Sequence, residues 1–374
     1  MPKRRWFTRL SACGCVATVA MLPTAAPGEN LERPPGTKPV SSRSMQRDFS
    51  MAKNEKIRTR FESPKVLERS DNGTTFELCL TAGVFESGGA AEVDPSVPGK
   101  FELLCYNKSS VGPTLRVRRG KTYFIRVKNQ LQGSSDSVPE QDRETPGAEP
   151  LHGLSTTNLH MHGLHVSPDG KSDNVFRQID PIDRNVPIDP KQPYNEFTFR
   201  YTIPDDHPAG TFWYHPHIHG SVAYQVSNGL TGALIVTGNE SQPGEKKDKF
   251  HEDGRFDLED IHDIKSARDQ VVVLQLYTYR VGTDQIGRID AHQIYDVKPE
   301  KRSSDSIDVT GKSPSDPPVQ ITAFNGRINP TFTIAPGEVQ RWRIIHAGWD
   351  LLRRLIWVDE NDDPVKRACG TAIS

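Results

Sequence analysis

Eight of the twelve histidines in this 374-residue chain fall between His152 and His219. Five of these form two groups, His160-Met161-His162-Gly163 and His215-Pro216-His217-Ile218-His219-Gly220. Both groups sit in runs that read as β-strand. Alternate residues of a strand share a face, so His160 and His162 should project together, as should His215 and His217. Two such strands side by side would gather four imidazoles in a small volume. Neutral imidazoles with no thiolate or carboxylate beside them suit copper, zinc or iron, and not magnesium or calcium. A lone strand histidine is ordinarily a satisfied core or surface residue. Two His-x-His pairs in matching strand context point instead to a metal.

The elements that must hold these pairs are short strands. Leu115–Gly120 and Tyr123–Asn129 alternate apolar and polar residues around a glycine turn, which predicts a half-buried antiparallel pair. Further strand-like runs recur at Asn158–Val166, Glu196–Ile203, Gly210–His217 and Gly232–Val236. Gly and Pro, 29 each, supply the turns between them. The pattern predicts an all-β chain of Greek-key sandwiches. Polar stretches divide it into a flexible lead-in at 27–65, a first domain at 66–239, a linker at 240–269 and a second domain at 270–374. That second domain holds too few strands for a full sandwich and is expected to be incomplete.

The balance of 47 basic and 48 acidic residues leaves a net charge of −1, which offers nucleic acid no electrostatic footing. Residues 1–26 combine a basic start (Lys3, Arg4, Arg5, Arg9) with an apolar run from Leu10 to Ala26, the pattern of an export signal. Arg4-Arg5-Trp6-Phe7 fits a twin-arginine signal, and an ordinary secretory signal fits as well. Either implies a periplasmic or extracellular protein. No other segment approaches the apolar length of a membrane span. Cys79 and Cys105 lie in strand-like runs, as a disulfide or as two separate thiols, and no Cys-x-x-Cys pair exists for a structural zinc.

Thr157–Val166, with its His160-Met161-His162-Gly163, resembles the first copper motif of the multicopper oxidases, the bacterial laccase-like branch above all. Pro204–Gly220, with Trp213-Tyr214-His215-Pro216-His217, resembles the second. The likeness is dense over residues 110–240. It resumes more loosely at Asn325–Pro330 and Pro336–Arg343. It implies tandem cupredoxin-like sandwiches, the second incomplete, and a three-copper cluster that reduces dioxygen to water. By position, His160 would bind the type 2 copper, and His162, His215 and His217 the type 3 pair. His165 and His219 are candidates to contact these ligands, or are polar residues at the mouth of the site. His207, in a Pro/Asp turn, reads as structural. Oxygen reduction consumes protons, and Asp173, in the loop after the first motif, is the favoured carboxylate to relay them.

The same likeness implies four more cluster histidines and a blue copper held by a Cys with two histidines, and no segment here fits them. The expected function is therefore a laccase-like copper oxidoreductase represented by its N-terminal half. Its partners would be dioxygen and a small reducing substrate: a phenol, an aromatic amine or a metal ion. The competing expectation is a copper-binding module without turnover, a truncated inactive product. A copper nitrite reductase would need a blue-copper set in its first domain, and neither Cys79 nor Cys105 has the neighbours for one.

Overall fold

The computed structural model describes residues 18–23, 59–67, 74–88, 97–133, 153–237, 267–289, 319–335, 338–348 and 353–358. Cys369, the polar loops at 134–150 and 300–318, and most of the segments read as signal and linker lie outside them.

The described chain is nearly all strand. A four-stranded sheet runs in the order β4 (Gly112–Arg118), β9 (Gly232–Thr237), β8 (Gly210–His215), β6 (His160–His162). A larger sheet holds β2 (Thr75–Glu86), β3 (Lys100–Tyr106), β5 (Thr122–Asn129) and β7 (Glu196–Thr202). It continues into β10 (Arg268–Val281), β11 (Ile286–Ile289), β12 (Val319–Phe324) and β13 (Gln340–His346). The two halves meet where β11 pairs in parallel with β3. Strands on either side of the 240–269 segment therefore share one sheet. A separate ribbon pairs β1 (Thr18–Pro23) with β14 (Arg353–Val358). Among the described residues one short helix, α1 (Val222–Ser227), follows the second histidine group.

The all-β sandwich expected from the sequence holds. The main core lies between the two sheets and joins Leu78, Phe101 and Phe199 of the larger one to Leu115, Tyr214 and Leu234 of the smaller. The opposite face of the small sheet is also covered. Ala233 and Ile235 of β9 pack there against Val271 and Val273 of β10 and Ile345 of β13. A strand covered on both faces needs apolar residues at every position, which is why Gly232–Val236 is an unbroken apolar run.

One expected pairing is wrong. Leu115–Gly120 and Tyr123–Asn129 do not form a hairpin but lie in different sheets. β4 pairs in parallel with β9, whereas β5 lies between β2 and β7. Alternation reports which residues share a face, and it is silent on which strand lies alongside. The turn itself carries the chain from one sheet to the other. Gly120 takes a left-handed φ of 69° and donates its N–H to the Ile203 carbonyl at 2.8 Å.

Both cysteines of the first unit are free thiols. Cys105 is buried against Thr81, 3.2 Å away, and Cys79 lies next to Glu77.

Candidate metal centre

β6 is only three residues long, the edge strand of the small sheet, and it pairs antiparallel with β8. The register sets His160 opposite His215 and His162 opposite Trp213. Met161 points into the main core, so His160 and His162 stand on the other face. On β8, Tyr214 likewise turns inward, where its hydroxyl donates to the Pro113 carbonyl at 2.6 Å. Thr211, Trp213 and His215 share the outer face with the β6 histidines.

One ring nitrogen from each of His160, His162 and His215 lies within 4.8 Å of the other two. His217 stands beside them, its ring 4.9 Å from that of His160 and 5.9 Å from that of His215. The reason differs from the one the sequence suggested. Strand alternation was to put His215 and His217 on one face, but β8 ends at His215. Pro216 has no N–H to continue the ladder. His217 sits instead in the loop before α1, where its backbone N–H donates to Asn158 Oδ1 at 2.6 Å.

The hydrogen bonds prepare the imidazoles as ligands. Asp173, which is buried, accepts from His160 Nδ1 at 2.8 Å and from the Met161 N–H at 2.9 Å. That fixes the His160 proton on Nδ1 and leaves the Nε2 lone pair free. His215 Nδ1 faces the Pro216 carbonyl at 2.7 Å and must donate to it. His215 Nε2 is then an acceptor, and His162 Nδ1 lies 3.4 Å from it. Burial pushes His215 down to about 3, with a smaller contribution from His160, His162 and His217. Burial also lowers His162, with His160 and His217 adding to it. Both rings are therefore neutral at pH 7, the form that binds a metal.

These shifts carry a sign. Unfolded histidine titrates near 6.5, so below that pH the unfolded chain binds protons that folded His215 refuses. Stability contributed by this site is full above about 6.5 and falls as the pH drops toward the folded value near 3. The melting temperature of metal-free protein should decline between pH 7 and pH 5, and His215→Gln should flatten that decline. A melting temperature that held constant or rose over this range would contradict the burial of a neutral His215.

Three buried amides that sequence reasoning passed over frame the site. Asn158 links three segments: besides holding His217, its Nδ2 donates to the Val175 carbonyl at 2.6 Å. It thus ties the Asp173 loop to the His217 loop. Gln225 on α1 accepts from Thr157 Oγ1 and donates to the carbonyls of Leu154 and Thr156. Asn129 donates to the carbonyls of Ser155 and Ile179. Asn158 was in view within Thr157-Asn158-Leu159-His160, but nothing in its type distinguishes a buried clamp from an exposed turn residue. Asn158→Leu removes the hydrogen-bond partner of both the His217 N–H and the Val175 carbonyl, so a stability loss of about 2 kcal/mol is expected. Copper affinity should fall ~10-fold or more with it. An unchanged melting temperature and unchanged copper affinity would remove the clamp from the account.

The remaining candidates lie outside the cluster. His165 is exposed, and its N–H donates to His207 Nε2 at 3.1 Å, because β6 stops at His162 and Gly163 turns the chain with φ 88°. His207 is fully buried, with Nδ1 held by the Pro208 carbonyl at 2.9 Å. His219 is exposed in the turn before α1. Tyr201 lies near Asp173 but outside hydrogen-bonding geometry. Burial first, and the Asp173 charge second, hold its phenol well above the usual range.

Residues 154–241, the stretch that carries both histidine groups, match the family described as multicopper oxidase. Over this segment the chain is similar to the multicopper oxidases. Over 139 residues the chain is 30% identical to a multicopper oxidase of Staphylococcus aureus, covering 37% of this chain and 23% of that protein. It is 31% identical over 139 residues to laccase-1 of Thanatephorus cucumeris, covering 37% of this chain and 18% of the laccase. The chain thus spans about a quarter or less of the curated relatives it matches. A solved laccase of Pediococcus acidilactici aligns over 81% of this chain and 53% of its own, at 19% identity and a TM-score of 0.46.

The donor set fits copper. Two metal–nitrogen bonds of about 2 Å each span some 4 Å, close to the separation of the three imidazoles, so small ring shifts would close the set on an ion. Imidazole suits copper in both oxidation states used for electron transfer.

Proposed function

We propose that this chain is part of a multicopper oxidase and supplies His160, His162, His215 and His217 to a copper cluster that reduces dioxygen at the expense of a small reducing substrate. His160 would serve the type 2 copper, and the other three the type 3 pair. The observation that carries the reading is the convergence of three imidazoles, with His160 and His215 each held through Nδ1 so that Nε2 is the nitrogen turned toward a metal. Bound copper would supply the one-electron steps by which dioxygen takes four electrons and four protons to give two waters. The chain's own part is to orient the rings and to bring protons. Asp173 orients His160, and as a carboxylate at the edge of the site it is the proposed proton carrier. Asp173→Asn should keep copper bound while slowing oxygen reduction. Unchanged turnover would sink the relay.

A second reading, copper binding without turnover, is favoured by one observation. Among the described residues no thiolate is flanked by histidines, since Cys105 contacts Thr81 and Cys79 contacts Glu77. Oxygen uptake by copper-loaded protein with a phenol decides between the two. Consumption of oxygen supports the oxidase, and copper retained without consumption supports the binding module. The reducing substrate is proposed as a phenol, an aromatic amine or a low-valent metal ion. Location in the periplasm or outside the cell, by way of the 1–26 signal, is likewise proposed. Among the described residues no helix is long and apolar enough to cross a membrane.

A further inference from the structure

The indole of Trp213 lies against two of the imidazoles at once. Its ring stacks on His215 with centroids 4.2 Å apart and on His162 at 4.9 Å, with an interplanar angle of 27° in each case. Two features of the fold produce this. Trp213 and His215 are two apart on β8 and so share a face, and the β6–β8 register sets Trp213 directly opposite His162. The indole is itself backed by the apolar cluster of Val111, Ala233, Ile235, Val271, Val273 and Ile345. That cluster draws on β9, β10 and β13, so the ring rests on a wall built from both halves of the larger architecture.

We propose that Trp213 is a positioning residue for the metal centre: a fixed aromatic platform that sets the ring planes of His162 and His215 together. The need for it is clearest at His162, which is exposed at the sheet edge. In the metal-free protein His162 Nδ1 is steadied by His215 Nε2 at 3.4 Å. A metal that takes the His215 Nε2 lone pair removes that hydrogen bond. The indole stack does not use the lone pairs and persists when the metal binds. His215 keeps its bond to the Pro216 carbonyl, whereas His162 keeps the stack. The inference rests on the copper reading above and goes beyond it by assigning a residue that donates nothing to the metal.

The test compares Trp213→Leu, which removes the stack, with Trp213→Phe, which keeps an aromatic face. Copper affinity is read by competition with a chromophoric chelator, and geometry from the nitrogen hyperfine pattern of bound Cu(II) in electron paramagnetic resonance. Trp213→Leu should lose 10- to 100-fold in affinity, the range for residues that orient ligands, and show an altered hyperfine pattern. Trp213→Phe should recover most of both. In the unaltered protein, Cu(II) should quench indole emission as it fills the site, which needs no variant to fold. Wild-type affinity and an unchanged hyperfine pattern in Trp213→Leu, or copper uptake without quenching, would overturn the platform and leave the copper site standing. Failure of the unaltered protein to take up copper would instead sink the reading on which the platform rests.

Discussion

Replacing His215 with alanine should lower copper affinity by more than about a hundredfold, beyond the loss expected from removing a residue that only orients a ligand. His215 occupies the middle of the arrangement. It faces His160 across the β6–β8 pair, touches His162 through Nε2, and stacks on Trp213. It is also the most buried of the four histidines, so its lone pair competes least with water. The fold should survive the change, because His215 lies on the outer face of the small sheet, away from the main core between the two sheets. Dialysis of copper-loaded variant and parent against a chelator, followed by metal analysis, measures the effect. Copper retained at the parental level would show that His215 is not a ligand.

The largest effect on stability should come from a charge far from the metal. Arg343 of β13 is almost wholly buried, its side chain 4% exposed, and its Nε donates to both oxygens of Asp269 at 2.8 and 2.9 Å. Its Nη1 reaches Thr211 Oγ1 on β8 at 3.0 Å, and Arg116 approaches the same carboxylate at 3.3 Å. This network fastens the strand that carries Trp213 and His215 to β10 and β13. Asp269→Ala strands a buried guanidinium without its anion, which costs about 3 kcal/mol. The melting temperature should fall on the order of 10 °C. Removing both charges, as Asp269→Leu with Arg343→Met, should cost much less, since no unpaired charge then remains inside. Equal losses in the single and double variants would mean that packing, and not charge, holds the contact.

The histidine groups were legible because residue type and two-residue spacing carry the chemistry directly, and the strand-by-strand character was legible because one face of most strands is polar. Strand partners were not. The alternation of Leu115–Arg119 would look the same beside β5 as beside β9, so the hairpin drawn between neighbours in sequence fails. The place of His217 was half legible: Pro216 marks the end of a ladder, yet the loop that returns His217 to the cluster depends on Asn158, 59 residues away in sequence. The same holds for Asp173, whose bond to His160 Nδ1 spans a loop with no period of its own. Trp213 was visible only as a member of the second histidine motif, with no role of its own, since stacking on His162 is set by register between strands. Side chains that act through partners distant in sequence leave no local signal.

The central claim is that these histidines converge on copper. X-ray absorption at the copper edge of the loaded protein tests it most directly, because it reports the atoms that touch the metal. A shell of nitrogen donors with the outer scattering of imidazole, losing amplitude in the His215→Ala protein, is the predicted result. A sulfur shell, a shell without imidazole scattering, or copper that washes out of the unaltered protein would contradict it.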